Sequence, residues 1–231
     1  MTSSVQSKDK EKLKSFALRK GRLTSAQKRA LSSLKDKYCI SNEREKINLK
    51  ESFNNPQRKL IADVGFGTGE SLIFMASEFP NINFVGIEVY PSGIGSTLNN
   101  AEQKSVSNIK IIESDVLDLF KAKVADEIFD SIVFLFPDPW PKRKHHKRRL
   151  LSENFLRLLY KKVVMGGTVF CKTDWEDYYL HMKKSFSSVQ GWHLQEPGNF
   201  PLHIKSLPKT KYERKALEEG REVRQLLFRK I

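Results

Sequence analysis

Between residues 59 and 186, short apolar runs alternate with stretches whose apolar positions recur every three or four residues. The runs predict buried strands over 60–64, 82–89, 109–113, 129–136 and 168–172, with a last strand over 223–229. The intervening periodicity predicts helices over 71–79, 95–105, 152–164 and 175–186, and a short helical piece over 117–121. The pair Gly166-Gly167 is expected to end the helix that starts at Ser152. Residues 129–136, FDSIVFLF, form a long apolar run and mark the central strand. Upstream, Thr24 or Ser25 caps a short helix over 24–34. Strands alternating with helices imply a parallel sheet covered on both faces. In such sheets the ligand site lies beyond the carboxyl ends of the strands.

Composition narrows the function. The chain has 231 residues, enough for one domain with an appendage, and 39% hydrophobic residues exclude a wholly disordered chain. A net charge of +14 calls for a polyanionic partner, nucleic acid or an acidic membrane. Half of that excess falls in residues 1–30, where Lys8, Lys10, Lys12, Lys14, Arg19, Lys20, Arg22, Lys28 and Arg29 face only Asp9 and Glu11. The chain is therefore expected to divide into a basic, partly disordered arm over 1–37 and a folded domain over 38–231. The arm is either a solvated tail or a segment that lies along phosphates. No apolar run is long enough to span a bilayer, and the first twenty residues lack the apolar core of a secretory signal. Cys39 and Cys171 form no CxxC pair and read as thiols of a reducing cytoplasm; no histidine spacing fits a metal site.

Each candidate motif follows a strand. Asp63-Val-Gly65-Phe-Gly67-Thr-Gly69-Glu70 follows the first strand and opens the first helix of the alternation. Its glycines permit a tight turn and close approach of backbone N–H groups to a ligand. The third glycine comes one residue early for a dinucleotide fingerprint, and Glu70 would repel a pyrophosphate. A cationic sulfonium and ammonium would instead tolerate Asp63. Glu88 closes the second strand, where a carboxylate accepts hydrogen bonds from ribose hydroxyls; Asp115 follows the third, within reach of an adenine amino group. Phe136-Pro137-Asp138-Pro139-Trp140-Pro141-Lys142 follows the central strand, and its prolines stiffen the loop around Asp138. Immediately after it, six of the eight residues 142–149 are Lys or Arg, a segment suited to phosphates flanking a target base.

Taken together, these segments resemble the bacterial-type tRNA (guanine-N7)-methyltransferase family. The matching motifs are GRLT at 21–24, DVGFGTGE at 63–70, GIEVY at 86–90, FPDPWPKRKHHKRRL at 136–150, KTDWEDY at 172–178 and TKYE at 210–213. The resemblance implies a class I S-adenosylmethionine-dependent methyltransferase fold: α/β, Rossmann-like, a mostly parallel seven-stranded sheet with helices on both faces. It implies S-adenosyl-L-methionine as cofactor, tRNA as partner and N7 of the guanine at position 46 of the variable loop as target. It assigns cofactor contacts to Asp63, Gly65, Gly67, Glu88, Asp115 and Asp138, and the catalytic role to Asp138. Substrate contacts fall on Lys142, Asp174, Thr210, Lys211, Tyr212 and Glu213. RNA contacts fall on Lys144, His145, His146, Lys147, Arg148 and Arg149. The sequence departs from the family at Asp63, where relatives often carry Glu. No metal and no membrane enter this reading, and a monomer and a homodimer fit it equally. Its rivals are a methyltransferase acting on another RNA or on protein, an RNA-binding module without catalysis, and a nicotinamide-dependent oxidoreductase. The glycine loop with three strand-end acids disfavours the binding module. Glu70 and the basic cluster disfavour the oxidoreductase.

Overall fold

A computed structural model of the chain describes residues 15–16, 21–202 and 207–231. The arm cations Lys8, Lys10, Lys12, Lys14, Arg19 and Lys20 lie outside the described residues. Seven strands form one sheet: β1 Leu60–Val64, β2 Asn83–Glu88, β3 Ile109–Glu113, β4 Phe129–Leu135, β5 Val163–Thr173, β6 Trp192–Gln195 and β7 Arg224–Lys230. Their order is β3-β2-β1-β4-β5-β7-β6. All neighbours pair in parallel except at β7, which runs antiparallel to β5 and β6. The order reverses between β1 and β4, so the crevice for a ligand opens beyond the ends of those two strands.

The helices are α1 Ser25–Ser33, α2 Lys35–Tyr38, α3 Glu70–Glu78, α4 Pro91–Gln103, α5 Val116–Asp118, α6 Glu153–Lys162, α7 Glu176–Ser187 and α8 Lys211–Glu218. Two apolar clusters cover the sheet. Leu72, Ile73 and Met75 of α3, Ile94 and Leu98 of α4 and Ala30 of α1 belong to one. Phe155, Leu156 and Leu159 of α6 with Tyr178, Met182 and Phe186 of α7 belong to the other. Strands β1 and β2 are buried along their whole length, as expected for a sheet covered on both faces.

Two expectations need correction. The division at residue 37 does not follow the packing. Thr24 caps α1 by a reciprocal box with Gln27, and Gln27 Nε2 donates to Ser96 Oγ of α4 at 3.0 Å. Ala30 and Tyr38 are both 2% exposed, and Cys39 bridges to Ile111 of β3. Residues 21–37 thus belong to the body of the domain in its packing. Gly166-Gly167 does not end α6 either. That helix stops at Lys162, and both glycines lie inside β5, where the pairing with β4 shifts register between Phe129 and Ser131. A Cβ on Gly167 would stand 2.9 Å from the Asp130 carbonyl, so the close approach of the strands explains the glycine.

Candidate active site

The carboxyl ends of β1, β2, β3 and β4 converge on a cleft in two adjoining parts, of about 380 and 160 Å³. Gly65, Gly67, Tyr90, Asp138 and Tyr212 line both. The glycine loop turns between β1 and α3 with Gly65, Gly67 and Gly69 at φ 74°, 59° and 78°, a region that glycine enters without strain. Helix α4 begins against this loop: a Cβ on Gly93 would meet the Gly67 carbonyl oxygen at 2.2 Å. Glu88 locks the two together. Its Oε2 accepts the Gly67 N–H at 2.9 Å, and its Oε1 accepts those of Val89 and Tyr90 at 2.6 and 3.1 Å. Desolvation raises the Glu88 pKa above the usual carboxylate value, partly offset by these bonds.

Asp63 is 1% exposed, and neither of its carboxylate oxygens has a hydrogen-bond partner. Burial, with the charge of Glu88 adding to it, pushes its pKa up to about 7. Ser71, on the first turn of α3, is 5% exposed, and its hydroxyl has no partner either. Buried polar atoms normally find partners, and these orphans line the larger part of the cleft. The donor set therefore fits a ligand that brings a cation and a hydrogen-bonding group to this spot, as the amino-acid end of S-adenosylmethionine would. Asp115 lines the smaller part and caps α5, its Oδ1 accepting the Leu117 N–H at 2.8 Å. Among the described residues no group of three metal-type side chains occurs, and no helix is long and apolar enough to cross a membrane.

Asp138 lines both parts of the cleft. Its loop is strained: Phe136 and Trp140 adopt φ of 55° and 46°, a conformation that costs a non-glycine residue of order 1–3 kcal/mol. Phe136 is tied by its N–H to the Lys172 carbonyl at 2.9 Å and stacks on Tyr212 with 6.5 Å between ring centres. Tyr212 lies in the first turn of α8, whose N-cap Thr210 accepts the Glu213 N–H at 3.1 Å. Thr210, Lys211 and Tyr212 all line the cleft.

Other assigned residues lie elsewhere. Glu213 is 9% exposed and grips Lys172 Nζ with both oxygens at 3.1 Å. Asp174 pairs with Arg221 Nε at 2.8 Å. Neither lines the cleft: Glu213 ties α8 to β5, and Asp174 ties the end of β5 to the turn after α8. Lys142 is exposed outside the cleft. Lys144 and Lys147 are exposed on the 3-10 turn Arg143–Arg148, while His145, His146 and Arg148 are half-buried on it. Arg148 lies 3.8 Å over the Trp140 ring. Arg149 breaks the pattern. It is 3% exposed and turned inward, so it does not present a charge to a surface ligand.

Sequence reasoning missed Ser71, Gln27, Ser92 and Phe16 as lining residues. Pro91-Ser92-Gly93 could have revealed the start of α4, because proline favours the first turn. Nothing marked the inward turn of Arg149.

A glycine loop, strand-end acids at β1, β2 and β3 and a cleft at the strand-order reversal define a class I S-adenosylmethionine-dependent methyltransferase. Solved structures agree on the fold: a 30S ribosomal A1408 methyltransferase from an uncultured bacterium superposes with a TM-score of 0.52 at 15% identity, covering 80% of this chain and 91% of that one. A family model described as a putative methyltransferase matches residues 57–226. The tRNA (guanine-N(7)-)-methyltransferase of Colwellia psychrerythraea is 35% identical over 95% of this chain and 90% of its own length. That of Marinobacter nauticus is 36% identical over 94% and 91%, and that of Legionella pneumophila strain Corby 33% over 94% and 97%. The chain belongs to the tRNA (guanine-N7)-methyltransferase family.

Proposed function

We propose that this chain transfers the methyl group of S-adenosylmethionine to N7 of the guanine at position 46 in the variable loop of tRNA, with Asp138 as the residue that orients the base. The observation that carries the reading is Asp138 lining both parts of a cleft whose deepest acid, Asp63, has both oxygens unpartnered. Bound cofactor supplies a methyl group already activated on a sulfonium. Guanine N7 is a lone-pair acceptor and carries no proton, so the chain need supply no strict general base. Its task is alignment, which is worth about 7–11 kcal/mol when two reactants are held in line.

The residues divide that task. Asp63 takes the ammonium of the cofactor, Glu88 the ribose hydroxyls and Asp115 the adenine amino group, while Gly65 and Gly67 let the backbone approach. Asp138 accepts hydrogen bonds from guanine N1–H and N2–H. Thr210, Lys211 and Tyr212 line the cleft with it and contact the substrate. Lys142, Lys144 and Lys147, with His145, His146 and Arg148 beside them, meet the phosphates of the RNA. The reaction takes place in the cytoplasm, where Cys39 and Cys171 stay as free thiols. The test is nucleoside analysis of a tRNA transcript treated with wild-type protein and with Asp138→Ala, followed by mapping of the methylated guanine. A methyl group at position 46 from the wild type and none from the variant is expected; 7-methylguanine at another site, or in a folded variant at the wild-type rate, overturns it.

A further inference from the structure

We infer that Arg149 is a positioning residue of methyl transfer: it holds the Asp138 loop from behind, where the sequence reads as one more RNA-binding cation. The inference rests on the assignment of Asp138 above. Arg149 Nε donates to the Pro139 carbonyl at 2.9 Å, one residue beyond Asp138. Its terminal nitrogen donates to Asp177 Oδ2 on α7 and lies 3.2 Å from His146 Nε2. The guanidinium lies 5.0 Å from the ring centre of Tyr178, which is fully buried and whose hydroxyl accepts the Leu151 N–H at 3.3 Å.

The loop needs such a brace. Pro137, Pro139 and Pro141 have no N–H, so few of its backbone groups can be tied down. Phe136 and Trp140, on either side of Asp138, sit at strained backbone angles that persist only where surrounding contacts hold them. Phe136 is fixed by Lys172; the bond from Arg149 fixes the other side of Asp138. Arginine suits the place because its planar fork serves a carbonyl and a carboxylate at once while lying on an aromatic ring. Lysine, a point charge, cannot do all three. Asp177 completes the brace, and the Arg149 hydrogen bond lowers its pKa.

The test compares Arg149→Lys, Arg149→Ala and Asp177→Asn with wild type and with Asp138→Ala. The measurements are kcat, KM for tRNA, S-adenosylhomocysteine affinity by calorimetry, the salt dependence of tRNA binding and thermal melting. A positioning role predicts a fall in kcat of roughly 10- to 100-fold, the scale of a small misplacement. Cofactor affinity should stay within about twofold, the slope of log K against log[salt] should not change, and Arg149→Lys should recover part of the loss. Arg149→Ala combined with Asp177→Asn should be no slower than Arg149→Ala alone, since both remove one brace. Unchanged kcat in Arg149→Lys and Arg149→Ala overturns the inference. So does a salt slope shallower by about one unit with kcat retained, which marks a phosphate contact. Parallel losses of melting temperature, cofactor affinity and kcat overturn it too, because they mark a packing role only. If Arg149→Ala does not fold, Arg149→Lys decides on the same readouts. An active, folded Asp138→Ala sinks the assignment of Asp138 instead, whatever Arg149 does.

Discussion

Asp63→Asn separates the stability of the ligand-free protein from its hold on the cofactor. In the folded protein the Asp63 carboxyl has a pKa of about 7, against an ordinary 3.8, chiefly because it is buried. Between those values the native state keeps a proton that the unfolded chain has lost. Stability from this group is therefore complete below pH 3.8 and is lost as pH rises toward 7. A gap of about three units at 1.36 kcal/mol per unit caps the loss near 4 kcal/mol. Asparagine never ionises, so the ligand-free variant should be more stable than wild type at pH 8, by up to about 4 kcal/mol, with the difference shrinking to about 1 kcal/mol at pH 4.5. Binding runs the other way. A cationic ammonium needs the carboxylate, so wild-type affinity for S-adenosylhomocysteine should fall about tenfold per unit as pH drops well below 7. Binding near pH 7 should also release a fraction of a proton, which calorimetry in two buffers of different ionisation enthalpy measures. Asparagine should weaken binding about tenfold or more and abolish the proton release, as loss of a charged hydrogen bond worth about 1.5–3 kcal/mol requires. If the variant binds S-adenosylhomocysteine as tightly as wild type with no pH dependence in either, Asp63 does not face the ammonium and the reasoning fails.

Asp138→Ala should reduce tritiated methyl incorporation into tRNA by at least about 100-fold while circular dichroism stays native, given the alignment it is assigned. Near-normal transfer in the folded variant would remove it from the mechanism. Glu88→Ala should cost S-adenosylhomocysteine about 1.5–3 kcal/mol and tRNA much less, measured by calorimetry and filter binding. A loss on the tRNA side alone would move the ribose contact elsewhere. Replacing exposed Lys144 and Lys147 together by alanine should flatten the salt dependence of tRNA binding by roughly two units without changing the choice of guanine. A wild-type slope would take the 3-10 turn out of the interface.

The residues that the structure groups at the cleft were legible because their positions follow from strand ends. β1 and β3 match the sequence pattern residue for residue, since short segments dominated by β-branched and aliphatic residues and bounded by polar or glycine residues have few other readings. From there, chain order alone brings Asp63, Glu88, Asp115 and Asp138 to one edge of a parallel sheet. The misses have physical causes. Strand β6 has four residues at the sheet edge, with Trp192 buried and His193 and Leu194 exposed, so it lacks an apolar run. Helix α8 buries only Glu213 and Ala216 and is mostly charged, so it offers few apolar positions to read; it read as a motif, TKYE, rather than as an element. The glycine pair at 166–167 carries the signal of a helix end, yet it serves a strand that must pass close to β4. Within the run at 142–149, charge says nothing about direction. Neighbouring Arg148 and Arg149 differ in burial because one lies on Trp140 and the other reaches beneath Pro139.

The cleft acids also bear on which form of the cofactor this chain prefers. Burial raises the pKa of Asp63 and of Glu88, and a neighbouring charge adds to each, that of Glu88 at Asp63 and that of Asp138 at Glu88, so negative charge is costly in this small volume. Backbone N–H groups offset the penalty at Glu88 and nothing offsets it at Asp63. A ligand with two positive centres relieves that penalty more than a ligand with one. On the proposed assignment, methyl transfer removes the sulfonium charge and leaves only the ammonium, so the same acids that favour the methyl donor hold its product less tightly. The surface works in the opposite sense. A chain of net charge +14 draws a polyanion toward it, while the acids stay inside, buried to 1% and 4% exposure at Asp63 and Glu88, where phosphates do not reach. Opposite fields at the surface and in the cleft let one small domain bind a cationic cofactor and a polyanionic substrate side by side.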